Sequence, residues 1–130
     1  MPALSEDQAR TLANEFLQSA AAISDFRSRE FATLTPEGVL ALKSLELKLS
    51  NQSDDMTATA IQDTLDNLDQ TVKRITKTTT AARAAIATLQ DIGKAVTIGA
   101  SLIALGTAIA AGNPGGILTA IQNTNDAISS

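Results

Sequence analysis

Four side chains are missing from this sequence altogether: cysteine, histidine, tryptophan and tyrosine. Without cysteine there is no disulfide, no thiolate nucleophile and no thiolate metal ligand. Without histidine the commonest general base and the commonest metal-binding side chain are gone as well. An enzyme would have to rely on serine, threonine, lysine or a carboxylate, and no motif sets one of these beside an activating partner. The expectation is a non-catalytic protein with no cofactor, no metal and no small-molecule substrate. Aromatic residues make up 2% of the chain, as Phe16, Phe26 and Phe31 alone, and the net charge is −4. Nucleic acid is therefore excluded as a partner, since phosphates call for clustered cations and bases for stacking rings. The N-terminal MPALSEDQ carries acids where a secretory signal carries Lys or Arg, and no apolar region follows it. The expected location is cytoplasmic by default, or membrane-associated.

Charge is absent from one long stretch: no Asp, Glu, Lys or Arg lies between Lys94 and Asp126. The segment from Ala95 to Ala111 is apolar on every side, broken only by the hydroxyls of Thr97, Ser101 and Thr107, each able to bond back to its own helix. Such a helix needs a deep core or lipid around it.

What is present is apolar and small: 44% hydrophobic with few large rings, a composition for closely packed helices in one domain of 130 residues. Ser5 and Gln8 form a capping box, with Glu6 and Asp7 in the first turn. Ala9, Leu12, Ala13, Phe16, Leu17, Ala20 and Ile23 follow at helical spacing, predicting a helix over 6–31. Thr35-Pro36-Glu37 is a second helix start. After it, Leu42, Leu45 and Leu49 fit a helix face, whereas Leu45, Leu47 and Leu49 alternate as in a half-buried strand. The proline start, leucine in place of Val or Ile at the alternating positions, and the lack of an obvious partner strand favour a helix over 36–49.

A polar turn, Asn51 to Asp55, caps the next segment. From there a 3-4 spacing runs through Ile61, Leu65, Leu68, Val72, Ile75, Thr79, Ala82, Ile86, Leu89, Gly93, Val96, Ala100 and Ile103, as in a coiled-coil seam. It predicts one long helix over 54–111, roughly 85 Å if unbroken. The weak points are Thr79, in a β-branched run, and Gly93, where a break would fold the segment into two antiparallel pieces. The seam keeps its phase through both, which favours a continuous helix. Gly112, Asn113, Pro114, Gly115 and Gly116 form the reversing turn, and a short helix over 116–128 returns along the apolar one. The fold class is all-α: an elongated helical bundle with one long central helix and a C-terminal apolar helical hairpin.

Two charged groups stand out. Asp63, Asp66 and Asp69 recur at i,i+3, but no glycine turn or carbonyl-supplying loop accompanies them, so they read as ordinary helix acids. Lys73, Arg74, Lys77 and Arg83 form a basic segment, suited to a solvated or pairing face, or to anionic headgroups. In the apolar hairpin, Gly99, Ala100, Ala104 and Ala108 fall into small-residue rows that allow close helix packing. Ile98, Leu102, Leu105, Ile109, Ile117, Leu118 and Ile121 are the candidate contacts with a membrane or partner. Ala95–Ala111 spans roughly 25 Å, short of a ~30 Å bilayer core, which disfavours a permanent span. Two functional readings follow. One is membrane association or conditional insertion through the Ala95–Ile121 hairpin, in the manner of helical pore formers and translocators. The other is a soluble self-assembling bundle or adaptor, a homo-oligomer or protein-bound module, that buries the same surface against protein.

Overall fold

Leu12, Phe16, Ala20, Ile23 and Phe26 recur every three or four residues and form the buried face of α1, Glu6–Arg29. In the computed structural model, which describes residues 6–55, 68–89 and 91–129, this helix is followed by a 3-10 turn, Phe31–Thr33, and by α2 (Pro36–Asp55), α3 (Leu68–Thr88), α4 (Ile92–Ala111) and α5 (Pro114–Ser129). No strand occurs among the described residues. The described residues form an all-α bundle of five packed helices.

Round the bundle the helices neighbour one another in the order α1, α2, α4, α5, α3, which closes back on α1. Helix α4 also reaches α1 and α3, so it packs against each of the other four. The core follows from that placement. Ile98, Leu102, Leu105 and Ile109 of α4 are fully buried with Phe16, Ile23, Leu42, Leu49, Ile75, Ile86 and Ile117.

The ambiguous leucine run of α2 is helical. Leu42, Leu45 and Leu49 face the core while Leu47 points outward with Leu40. The helix also continues six residues past Leu49, through the stretch expected to be a turn. Tertiary bonds hold that extension: Gln52 Nε2 donates to the Ile103 carbonyl at 2.9 Å, and the Ser53 hydroxyl to the Ala13 carbonyl at 2.7 Å.

The single long helix over 54–111 is not what forms. The chain breaks between Thr88 and Ile92, just ahead of Gly93, while Thr78, Thr79 and Thr80 stay inside α3. Two groups fix the break. Arg29 Nη2, from the end of α1, donates to the carbonyls of Ile86 and Leu89 at 3.1 and 3.0 Å at the C-terminus of α3, where the Ile86 carbonyl also accepts from the Leu89 amide at 3.3 Å. Asp91 adopts extended backbone and accepts from the Gly93 amide at 2.9 Å as the N-cap of α4. The break resets the phase of the seam. Val72, Ile75, Thr79, Ala82 and Ile86 are buried as the spacing requires, but beyond Asp91 the buried set is Ala95, Ile98, Gly99, Leu102, Leu105, Gly106 and Ile109, leaving Gly93 and Ala100 exposed. Ile61 and Leu65 of the seam, the Ser5 cap, and Asp63 and Asp66 lie outside the described residues.

The reversal between α4 and α5 is tighter than the glycine content suggests. Gly112 alone takes the left-handed conformation, φ 65°, which an L side chain resists. Asn113 caps the next helix, its Oδ1 accepting from the Gly116 amide at 3.1 Å. Pro114 therefore occupies the first helical position, and Gly115 and Gly116 belong to α5 rather than to the turn.

Candidate functional site

Helix α4 is the chain's most apolar element, and three helices hold it in different ways. Against α2 it packs through a glycine-lined seam. A Cβ at Gly38 would lie 2.6 Å from Ile92 Cδ1, one at Gly99 would lie 2.8 Å from Leu45 Cδ1, and one at Gly106 would lie 2.4 Å from Gln52 Oε1. The three close approaches recur every seven residues on both helices and in one direction, so α2 and α4 run parallel with a heptad register. Each glycine is the notch that receives a side chain of the other helix. Gly99 and Gly106, the second of them outside the small-residue rows, are the two notches that α4 contributes to this seam.

Against α5 the approach is made by Ala108, which a Cβ at Gly116 would touch at 3.4 Å. Ala104, Thr107, Ala108 and Ala111 line a shallow groove with Gly115, Gly116, Thr119 and Asn123 of α5. Ala100 and Ala104 are exposed, so that end of the small-residue row faces outward, and Ala108 is its member that meets a neighbouring helix. Against α1 the contact is Ile23, whose Cδ1 would meet a Cβ at Gly99 at 3.2 Å.

Ile98, Leu102, Leu105, Ile109 and Ile117, candidates for contact with a membrane or partner, are fully buried by the chain itself. Leu118 and Ile121 are half-buried, Ile121 against the core. The cover that an all-round apolar helix demands, which the sequence alone assigned to another molecule, is supplied on this face by the four surrounding helices. The outer face of α4 is what remains exposed. It consists of Gly93, Thr97, Ala100, Ala104, Thr107, Ala110 and Ala111, small residues without charge. Its hydroxyls are closed on the helix: Thr97 donates to the Gly93 carbonyl at 2.9 Å, half-buried Ser101 to Thr97 at 3.0 Å, and Thr107 to Ile103 at 3.0 Å.

Polar contacts that pattern reading missed tie the other helices together. Glu15 of α1, buried, accepts from the Thr79 hydroxyl at 2.6 Å and from Arg83 Nη2 at 3.2 Å, both on α3. Thr80 donates to the same carboxylate at 3.2 Å, and Arg83 also reaches Gln18. Between α1 and α2, Arg27 Nε donates to Glu46 Oε2 at 2.7 Å. That hydrogen bond raises the Arg27 pKa above its ordinary value, partly opposed by burial, with the carboxylate's charge adding a smaller increase. Neither carboxylate lies on an obvious helical pair in the sequence. The signal available was only that Glu15 interrupts an otherwise apolar face, between Leu12 and Phe16.

Among the described residues no group of three or more carboxylates is placed to hold a metal ion. No family model matches the chain, and neither a curated protein nor a solved structure is similar to it.

Proposed function

We propose that this protein is a non-catalytic helical module that stores an apolar hairpin, α4–α5, inside a bundle of amphipathic helices and acts by releasing it into a membrane. The observation that carries the reading is the construction of α4. It has 20 residues, about 30 Å at 1.5 Å per residue, which matches a ~30 Å hydrocarbon core. It starts three residues earlier than the apolar run alone suggested, because Asp91 caps it. Its exposed side chains are uncharged, and its hydroxyls donate to its own carbonyls. The helix therefore carries no side-chain donor that loses a partner in lipid, apart from Lys94 in its first turn, which can extend to the interface.

The energetics are compatible with release. Four fully buried Leu and Ile side chains hold α4 in the core, about 6–12 kcal/mol in water-to-core transfer. In hydrocarbon that term is nearly recovered, because lipid tails are as apolar as leucine. What is lost is packing in the glycine notches, the Gln52 bond to Ile103, and the cover that α4 gives the apolar faces of α1, α2 and α3, which must close on one another.

A reversible lock tests the reading. A Cβ at 99 would lie 2.8 Å from Leu45 Cδ1 and 3.6 Å from Leu45 Cγ, so L45C/G99C is the pair chosen for a disulfide between α2 and α4, and the chain contributes no competing thiol. Reduced protein is expected to release dye from lipid vesicles and oxidised protein to release none. Equal leakage in both states, or no leakage by wild-type protein, overturns the proposal.

The soluble assembly reading is favoured by a different observation: Leu40 and Leu47, seven residues apart on the outward face of α2, are 67% and 63% exposed. On that reading a second copy covers this face, and light-scattering mass drops to the monomer in L40S/L47S.

A further inference from the structure

We infer that the outward face of α3 is a docking surface for anionic lipid headgroups, an assignment that rests on the membrane reading above and adds its target. Lys73, Arg74 and Lys77 lie within five residues on the side of α3 opposite its buried Val72, Ile75, Thr79 and Ala82. All three are exposed and none forms an ion pair with a described residue. Arg83, the fourth cation of the segment, is withdrawn from this face by Glu15 and Gln18. After Asp69 in its first turn, α3 contains no carboxylate. In a chain of net charge −4, this is a segregated basic patch.

Its surroundings favour a flat anionic surface over a nucleic acid or an acidic groove-binding protein. The remaining exposed positions of α3, such as Ala81, Ala84 and Thr88, are short, so the helix can lie close to a plane. No aromatic ring accompanies the cations for base stacking. Of the carboxylates beside this helix, Glu15 is taken up by Thr79, Thr80 and Arg83, and Asp25 of α1 lies across the groove that Thr80, Arg83 and Ala84 line, toward the C-terminal half of α3 and away from Lys73. The position in the bundle also suits the proposed role. Helix α3 packs on α5 and is separated from α4 only by the short Leu89–Asp91 connection, so a headgroup layer held by α3 lies next to the hairpin. Each cation near an anionic surface strengthens binding about fivefold, and three together about a hundredfold.

The experiment uses oxidised L45C/G99C, in which the hairpin is held, and flotation with vesicles of phosphatidylcholine alone or with about 30% phosphatidylserine. The locked protein is expected to float with the anionic vesicles, to ignore the neutral ones, and to be released as salt rises from about 50 to about 500 mM. K73Q/K77Q in the locked background should weaken flotation about 25-fold. The matched change K43Q/K48Q, on α2, should leave it within about twofold. Both pairs are exposed, and unfolding curves verify that each variant is folded. Locked protein that fails to float with anionic vesicles, or that loses affinity equally in both variants, overturns the assignment and leaves the face to an acidic protein. Docking by the locked form without leakage by the reduced form sustains this inference while removing the insertion reading. Leakage that ignores lipid charge does the reverse.

Discussion

A glycine-to-alanine series along α4 and α5 tests whether α2 really sits in notches on α4. In an exposed helix position the exchange stabilises by up to about 1 kcal/mol, because glycine loses more backbone freedom on folding. Gly115 is the reference: it is exposed, and a Cβ there would meet only Asn113 Oδ1 at 3.6 Å, an ordinary contact. At Gly99 the same Cβ would fall 2.8 Å from Leu45 Cδ1 and 3.2 Å from Ile23 Cδ1, two side chains packed in the core. Overpacking of this kind costs about 1–3 kcal/mol, so G99A is expected to be net destabilised by about 1 kcal/mol. At Gly106 the clash, 2.4 Å, is with the Gln52 amide. Gln52 is only half-buried and its Oε1 has no partner among the described residues, so it can swing outward. G106A then loses one amide bond to Ile103, about 1 kcal/mol, against a similar gain in propensity, and should be near neutral. The expected order of stability is G115A, then G106A, then G99A. Urea unfolding at constant m reads it, with about 3–5 °C in Tm per kcal/mol for a domain of this size. G99A as stable as G115A would refute the close α2–α4 approach and the heptad register built on it.

Other substitutions probe the polar ties and the core. Removing Glu15 by E15A leaves the mostly buried Arg83 unpaired and should cost about 2–3 kcal/mol, while E15A/R83A should cost less than the two single changes summed; additivity in that double-mutant cycle would count against the α1–α3 clasp. D91A removes the N-cap that separates α3 from α4 and is expected to lower stability by about 1 kcal/mol by thermal unfolding, with no change if the break is held elsewhere. L102A should cost about 3–5 kcal/mol in denaturant unfolding, whereas L40A, on the exposed side of α2, should fall within about 0.5 kcal/mol of wild type. Similar losses for both would mean that α2 is turned differently about its axis.

The division between pattern and packing is clearest at the break before Gly93. Periodicity was legible where one face of a helix meets one core: α1 buries Ala9, Leu12, Phe16, Ala20 and Ile23 of the set its spacing selects but leaves Leu17 exposed, and α3 buries its set from Val72 to Ile86. Past Leu89 the spacing continued unbroken on paper and pointed to the wrong face. In a segment without charge almost every phase is apolar, so periodicity carries no information there about which side is inside. Asp91 was the available clue, an N-cap residue two positions before a glycine.

The sequence by itself determined the all-α class, the apolar stretch without charge between Lys94 and Asp126, the reversal at Gly112, and the unavailability of thiol and imidazole chemistry. These depend on composition and on backbone preferences that act over a few residues. Only the tertiary structure decided that α3 and α4 are separate helices, that α2 fits the notches at Gly99 and Gly106, and that Ile98, Leu102, Leu105 and Ile109 are covered by their own chain. The same is true of Glu15 meeting Arg83, and of Lys73, Arg74 and Lys77 being left exposed without an ion pair to a described residue. Each of these depends on which helix lies against which, and side chains brought together from 50 or more positions apart leave no local trace in the sequence.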